Sequence, residues 1–312
     1  MTESSPAEAL AGRLVAAAGG SVRAVLLYGS QLHGARPGRH SAFDFVVLVD
    51  QYRAFYRAQA NAGELHRPVW LMTALARVLP PNTIAFAPDS GLAGIAKCLI
   101  VSVRDFERAL GPRASDHFLL GRLVQRVHTL WARSEADAAW VGSQLAAARA
   151  GVLTWMVPYL DEAVDAAGLG RRLLEVCYRG EFRPEAEDRA HRIFETQADH
   201  FRDTFLSVLE RGVASGAMAR EGDRYRPSTP VSSAERRRWR RHFRRSKTRA
   251  TLRWFKHTVT FANWLPYVVR KVERHTGRTI ELTRLERTLP LIFLWPRAFH
   301  VLLTRPKKEI RS

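Results

Sequence analysis

Residues 24–50 read AVLLYGSQLHGARPGRHSAFDFVVLVD. Two apolar runs flank a polar, flexible insert. The first, Val25-Leu26-Leu27-Tyr28, stops at Gly29-Ser30. The second runs from Phe43 to Val49, is interrupted only by Asp44, and is closed by Asp50. Runs of β-branched and large apolar residues between glycine-rich turns predict neighbouring strands. A carboxylate inside a core strand costs several kcal/mol unless something pairs with it. Asp44 therefore either faces a site at the sheet edge or binds a cation. Gly29-Ser30 lets backbone N–H groups approach a phosphate with no Cβ in the way. A phosphate cradle beside a strand carboxylate makes a metal–nucleotide site.

Thirteen residues separate Ser30 from Asp44. A Gly-Ser turn, a helix or loop, and then a strand Asp resembles the nucleotidyltransferase superfamily of the polymerase-β type. Taken alone, the stretch also fits a strand pair with a solvated Asp. The rest of the chain bears on that choice.

The 312 residues suffice for two domains and a sizeable core. Cys98 and Cys177 match no metal spacing and no disulfide framework, and are expected as reduced, buried thiols. The start, MTESSPAEALAGRL, carries no basic segment followed by an apolar core, so no signal or transit peptide is expected. No apolar stretch is long enough to span a bilayer.

The net charge of +19 is unevenly spread. Positions 231–312 hold 22 Lys and Arg against 5 Glu, a surplus of 17. The rest of the chain holds 27 bases and 25 acids, a surplus of 2. A nearly neutral body thus precedes a basic portion suited to nucleic acid or anionic lipid.

Taken in order, residues 5–18 predict a helix with Ser4 or Ser5 as its cap, and Gly19-Gly20 ends it. Helices are expected over 51–62 and, after Pro68, up to Leu79. A strand is expected over 84–87. The run IAKCLIVSV over 95–103 predicts another strand, and its single lysine, Lys97, either snorkels from an edge or points into a site. A helix begins at Phe106 and breaks at Gly111-Pro112. From Asp116 the pattern reads as helical throughout, with Leu120, Leu123, Val124, Val127 and Leu130 as one stripe. Further helices are expected over 138–160, 171–177 and 193–209. A small hairpin around Gly222 and a linker over 227–233 follow.

The last portion differs in kind. RRRWRRHFRRSKTR over 236–249 is followed by a stretch that mixes aromatics with Arg253, Lys256, Arg270 and Lys271. Four of the eight tryptophans lie there. Aromatic, basic, amphipathic segments sit at a membrane interface with bases near anionic headgroups. Trp239, Trp254, Phe255, Trp264 and Trp295 are the expected membrane contacts. A helical hairpin folded onto the body is one alternative, and a nucleic-acid arm ranks below both.

Several motifs in this order resemble the mitochondrial-type phosphatidate cytidylyltransferase family, the peripheral CDP-diacylglycerol synthases of the translocator assembly and maintenance type. They are YGS at Tyr28 to Ser30, FDFVVLVD with Asp44 and Asp50, and IAKCLIVS with Lys97. GRL at 121–123, CYRGEFRPEAED at 177–188 and RSKTRATLRWF follow. The resemblance spans nearly the whole chain. Gln31 stands where the family usually has a small residue, and the segment between Leu79 and Lys97 is shortened and altered; Val46 offers no second carboxylate, unlike most nucleotidyltransferases, a gap this family shares.

The resemblance implies an α+β fold. A nucleotidyltransferase mixed-sheet domain would cover 1–112, a helical domain 113–230, and a basic aromatic membrane-associating region 231–312. It implies transfer of CMP from CTP to phosphatidate, giving CDP-diacylglycerol and pyrophosphate, in phospholipid synthesis. Asp44 and Asp50 would hold Mg²⁺. Tyr28, Gly29 and Ser30 would cradle phosphates, and Lys97 would offset charge on the leaving pyrophosphate. Arg122 and Arg183 are candidates for the lipid phosphate, or are structural ion pairs. His33 and His40 receive no role. The expected location is peripheral, on the cytoplasmic side of a membrane. The competing readings are a minimal nucleotidyltransferase acting on a small molecule, RNA or protein, and a non-enzymatic basic adaptor.

Overall fold

A computed structural model of the chain describes residues 5–32, 42–65, 67–88, 95–179 and 186–261. The described elements of the chain are α1 (Pro6–Ala17), β1 (Val22–Tyr28), β2 (Phe43–Val49), α2 (Tyr52–Asn61), α3 (Val69–Val78) and β3 (Asn82–Phe86). They continue with β4 (Ala96–Ser102), α4 (Val103–Leu110), α5 (Leu120–Leu123), β5 (His128–Ala132), α6 (Glu135–Ala150) and α7 (Leu153–Met156). The last are α8 (Ala166–Arg179), α9 (Ala186–Glu195), α10 (Ala198–Ala214), β6 (Met218–Glu221), β7 (Arg224–Pro227) and α11 (Ser233–Thr260). This is a mixed α+β protein.

The first turn of α1 shows how locally the sequence acts. Ser5 Oγ accepts from the Glu8 N–H at 3.3 Å, and Glu8 Oε2 accepts from the Ser5 N–H at 2.8 Å. This reciprocal cap satisfies two N–H groups that helix geometry leaves without partners. Pro6 occupies the first turn, where its missing N–H costs nothing.

The sheet has the order β3-β4-β2-β1-β5. Strands β2 and β4 are parallel, and the other neighbours are antiparallel. Alternate residues of the central strands face opposite layers. Val25, Leu27, Phe45, Val47, Cys98 and Ile100 join one core with residues of α1, α2 and α3. Leu26, Val46, Leu48, Leu99 and Val101 join the other, with residues from α4 through α10. A strand buried on both faces has no reason to alternate apolar with polar residues, so it reads as a continuous apolar run.

The region after Asp116 departs from the helical expectation. Leu120, Leu123 and Val124 are buried at α5. The chain then extends, and β5 pairs with β1 through Leu26↔Thr129 and Leu27↔His128. Strand β1 would otherwise present a row of open backbone groups, and β5 covers it. The stripe from Leu120 to Leu130 is therefore two elements, and Leu130 packs on the opposite core. The sheet extends past residue 112, the expected end of the first domain.

The helix expected over 193–209 is also two elements. Gln197 stands between α9 and α10, with its side chain turned inward. Its Oε1 accepts from the Arg126 N–H at 2.8 Å, and its Nε2 donates to Gln125 Oε1 at 3.3 Å. The break thereby satisfies a backbone group between α5 and β5. The expected hairpin forms as β6 and β7, with Gly222 at φ +63°.

Helix α11 spans 28 residues, about 42 Å at the usual helical rise. One face lies on the body. Trp239 and Phe243 pack on the larger core, and Ser246, Arg249, Arg253 and Lys256 follow at helical spacing. Asp116 Oδ2 accepts from Arg249 Nε at 2.6 Å and from Arg253 NH2 at 2.7 Å. Lys256 Nζ donates to the carbonyls of Leu79 and Pro81, the latter at 2.7 Å. The first compact unit runs to Thr260 and includes the whole of α11. The division thus falls after Thr260. The expected boundary at Val231 is absent because α11 is anchored by these buried contacts.

Candidate active site

Strand β1 ends at Tyr28, and the chain turns through Gly29 at φ +87°. A single 3-10 turn over Ser30–Leu32 follows, closed by the Leu32 N–H donating to the Gly29 carbonyl at 3.0 Å. Strand β2 returns antiparallel and places Asp44 opposite Tyr28. Strand β4 runs parallel to β2 and places Lys97 opposite Asp44. Cross-strand partners project from the same face of a sheet, with neighbouring strands about 5 Å apart. Tyr28, Asp44 and Lys97 therefore form a row at one end of three adjacent strands. The row lies on the face that carries Leu26, Val46 and Leu99.

Tyr28 is buried, whereas Gly29, Asp44 and Lys97 are half-buried. A Cβ added at Gly29 would lie 2.9 Å from Asp44 Oδ2. The glycine thus has two causes: a left-handed backbone, and room beside a carboxylate. Cys98, next to Lys97, faces the opposite core. Burial, and then the Asp44 charge, pushes its thiol far above the ordinary range, so it stays protonated and inert.

Gly29→Ala should accordingly destabilise the fold by about 2 kcal/mol, because it forces a side chain into both restrictions. Thermal denaturation measures this, and an unchanged melting temperature would remove the crowding argument.

Asp50 does not join the row. Its even spacing keeps it on the Asp44 face of β2, but six residues of strand rise about 20 Å. At that far end Asp50 meets Arg133 NH1 at 2.6 Å and Arg23 Nε at 3.3 Å. Both arginines also reach Asp137. Asp50 belongs to a four-residue ion cluster, and its expected role as a second metal ligand is corrected accordingly.

The GRL and CYR segments do meet. A Cβ at Gly121 would lie 2.7 Å from Cys177 Cβ, so the bare glycine lets α5 sit directly against α8. Gln125 Nε2 donates to Tyr178 Oη at 3.1 Å and to the Gly121 carbonyl at 2.6 Å. Arg122 is buried, donates to the Phe118 carbonyl at 2.6 Å, and stacks 3.8 Å above the Phe118 ring. Arg183, Trp264, Trp295, His33 and His40 lie outside the described residues.

Trp239 is half-buried and packed on the core, with its carbonyl accepting from Tyr159 Oη at 3.3 Å. The expected membrane contact there is corrected: Trp239 faces the body. Trp254 and Phe255 are exposed, with their rings edge to face at 5.2 Å.

Among the described residues no three His, Cys, Asp or Glu side chains are grouped as metal ligands. The row nonetheless fits magnesium. Asp44 offers a hard carboxylate oxygen, kept clear by Gly29, and this metal commonly takes one or two carboxylates plus substrate phosphates. Among the described residues no helix is long and apolar enough to cross a membrane.

Sequence reasoning did not single out the Asp116, Arg249 and Arg253 cluster or the adjacent His117. The partners are distant in the chain, and no local pattern announces such pairing. No protein-family model and no curated protein matches the chain.

Proposed function

We propose that the chain is a phosphatidate cytidylyltransferase, a nucleotidyltransferase that moves CMP from CTP to a lipid phosphate. The carrying observation is the row of Tyr28, Asp44 and Lys97, with the bare Gly29 against the Asp44 carboxylate. An oxygen of the acceptor phosphate attacks the α-phosphorus of CTP. The bond from that phosphorus to the bridging oxygen breaks, and pyrophosphate leaves. Little covalent work falls on the protein, which must align reactants and place charge.

Magnesium bound here would neutralise phosphate charge as it develops. Asp44 is the residue that would hold it. The N–H groups at Gly29 and Ser30 would meet phosphate oxygens at the turn. Lys97, one strand away from Asp44, would balance charge on the departing pyrophosphate. The choice of cytosine and of phosphatidate comes from the family resemblance. The exposed arginines of α11 support a negatively charged acceptor surface.

The test uses the purified chain, Mg²⁺, phosphatidate vesicles and each labelled nucleoside triphosphate in turn. Label should enter lipid from CTP. Label entering only added RNA, or the protein itself, would favour the wider nucleotidyltransferase reading, and no transfer from any nucleotide would overturn both. Lys97→Ala should slow transfer about a hundredfold, with a much smaller change in melting temperature. Unchanged kinetics would return Lys97 to an ordinary edge lysine.

A further inference from the structure

Two helices turn apolar side chains outward, next to each other. On α3 the exposed residues Trp70, Ala74 and Val78 recur at a spacing of four, which makes one stripe. Trp70 is 71% exposed and Val78 79%, values that core packing does not explain. On α11, Leu252 and Phe255 are each 52% exposed and lie three residues apart. Contacts tie these helices together at both ends of α3. Arg67 Nε, just before α3, donates to the Val259 carbonyl at 3.2 Å. Lys256 Nζ reaches the carbonyls of Leu75 and Leu79. The two stripes are therefore neighbours.

The flank of α11 that carries Leu252 and Phe255 has a basic beginning. Arg241, Arg244 and Arg245 lie on it at helical spacing, and all three are exposed. Arg77 adds a base on the exposed side of α3. One flank thus offers guanidinium groups and, beside them, exposed aliphatic and aromatic groups, the two kinds of contact an interfacial helix makes with an anionic bilayer. Guanidinium groups meet lipid phosphates, while the rings and aliphatic chains enter the acyl boundary. Nucleic acid would use the arginines but leave Trp70, Val78 and Leu252 in water.

We infer that this joint face of α3 and α11 is the surface on which the protein lies against an anionic lipid bilayer. The inference rests on the lipid-acceptor reading for its choice of a bilayer over a protein partner. It moves the contact away from Trp239 and brings in α3, a helix that lies far ahead of the basic region in the chain.

The experiment is co-sedimentation of the full chain with vesicles of equal parts phosphatidylcholine and phosphatidylglycerol, across a salt series. Wild type should bind, weaken with salt, and keep a residual apolar component. Trp70→Ser with Val78→Ser should lower partition about tenfold or more without changing the melting temperature. Leu252→Ser with Phe255→Ser, on the other helix, should do the same. Unchanged partition in both double variants would overturn the proposal, as would retention by RNA without vesicle binding. Transfer of label from CTP to a water-soluble short-chain phosphatidate reads the active site without a bilayer. A double variant that loses vesicles but keeps this transfer supports the face. Wild type that binds vesicles through this face but shows no such transfer also supports it, and removes the proposed activity.

Discussion

An Asp44→Asn chain should fold as the parent does and lose nucleotide transfer by about a thousandfold or more. The substitution keeps the shape beside Gly29 and removes one negative charge. Charge stabilisation by a metal ion at a reacting phosphate is worth several kcal/mol. Two or three factors of ten in rate lie within that range. Asp44 is half-buried, and its neighbour across the parallel ladder is Lys97. Loss of a charge at such a partly exposed position changes stability by about 1 kcal/mol or less. Rate and stability should therefore separate, and this separates a catalytic carboxylate from a structural one. Transfer is measured at saturating Mg²⁺ alongside thermal denaturation. A well-folded Asp44→Asn chain that turns over at the parental rate would leave Asp44 as a strand-end residue with no part in the chemistry.

The row at Asp44 was legible because each of its signals is local. Burial on both faces makes β1, β2 and β4 continuous apolar runs, and a charged residue inside such a run stands out. Gly29 marks the turn at the end of β1, against which β2 sets Asp44. The position of Asp50 was legible too, had strand rise been applied: six residues separate the ends of a strand rather than the walls of one site. Strand β5 was less accessible. Its residues His128 to Ala132 are exposed or half-buried, so neither strict alternation nor a solid apolar run marks it. It is a strand because β1 has an edge to cover, a fact about tertiary structure.

The basic portion was legible in sum but not in direction. Composition gives the surplus of charge, yet not which bases face outward. Helical spacing divides α11 into Trp239, Phe243, Ser246, Arg249, Arg253 and Lys256 against the body and Arg241, Arg244 and Arg245 toward solvent. Only the position of Asp116, 133 and 137 residues away from its partners, fixes which side is which.

That anchor leads to the second large expectation. Asp116→Ala should destabilise the chain by about 3 kcal/mol, because it leaves the buried Arg253, and the half-buried Arg249 beside it, without their counter-charge. For a unit of this size, that corresponds to a fall of about 10 °C in Tm. Burial by itself would raise the Asp116 carboxyl. The Arg253 charge outweighs it, with hydrogen bonds from Arg253, Arg249 and the Phe118 N–H, and holds the carboxyl below its usual range. Its stabilising contribution is present above the unfolded carboxyl value and is lost only as pH falls through the lower folded one. His117 gives way earlier. Its ring lies 4.5 Å from Trp155 and 4.9 Å from His242, and burial, followed by the His242 charge, pushes it down to about 4. The folded chain keeps His117 neutral while the unfolded chain protonates it near 6.5. Stability should therefore drop as pH falls from about 6.5 to about 4, by about 3 kcal/mol from this residue. His117→Phe should flatten that slope, whereas Asp116→Ala should lower stability at neutral pH and steepen the slope, because the Asp116 charge favours protonation of His117 and His242. A melting temperature for Asp116→Ala equal to that of the parent would show that α11 is held by its aromatic and carbonyl contacts, with the ion cluster contributing nothing.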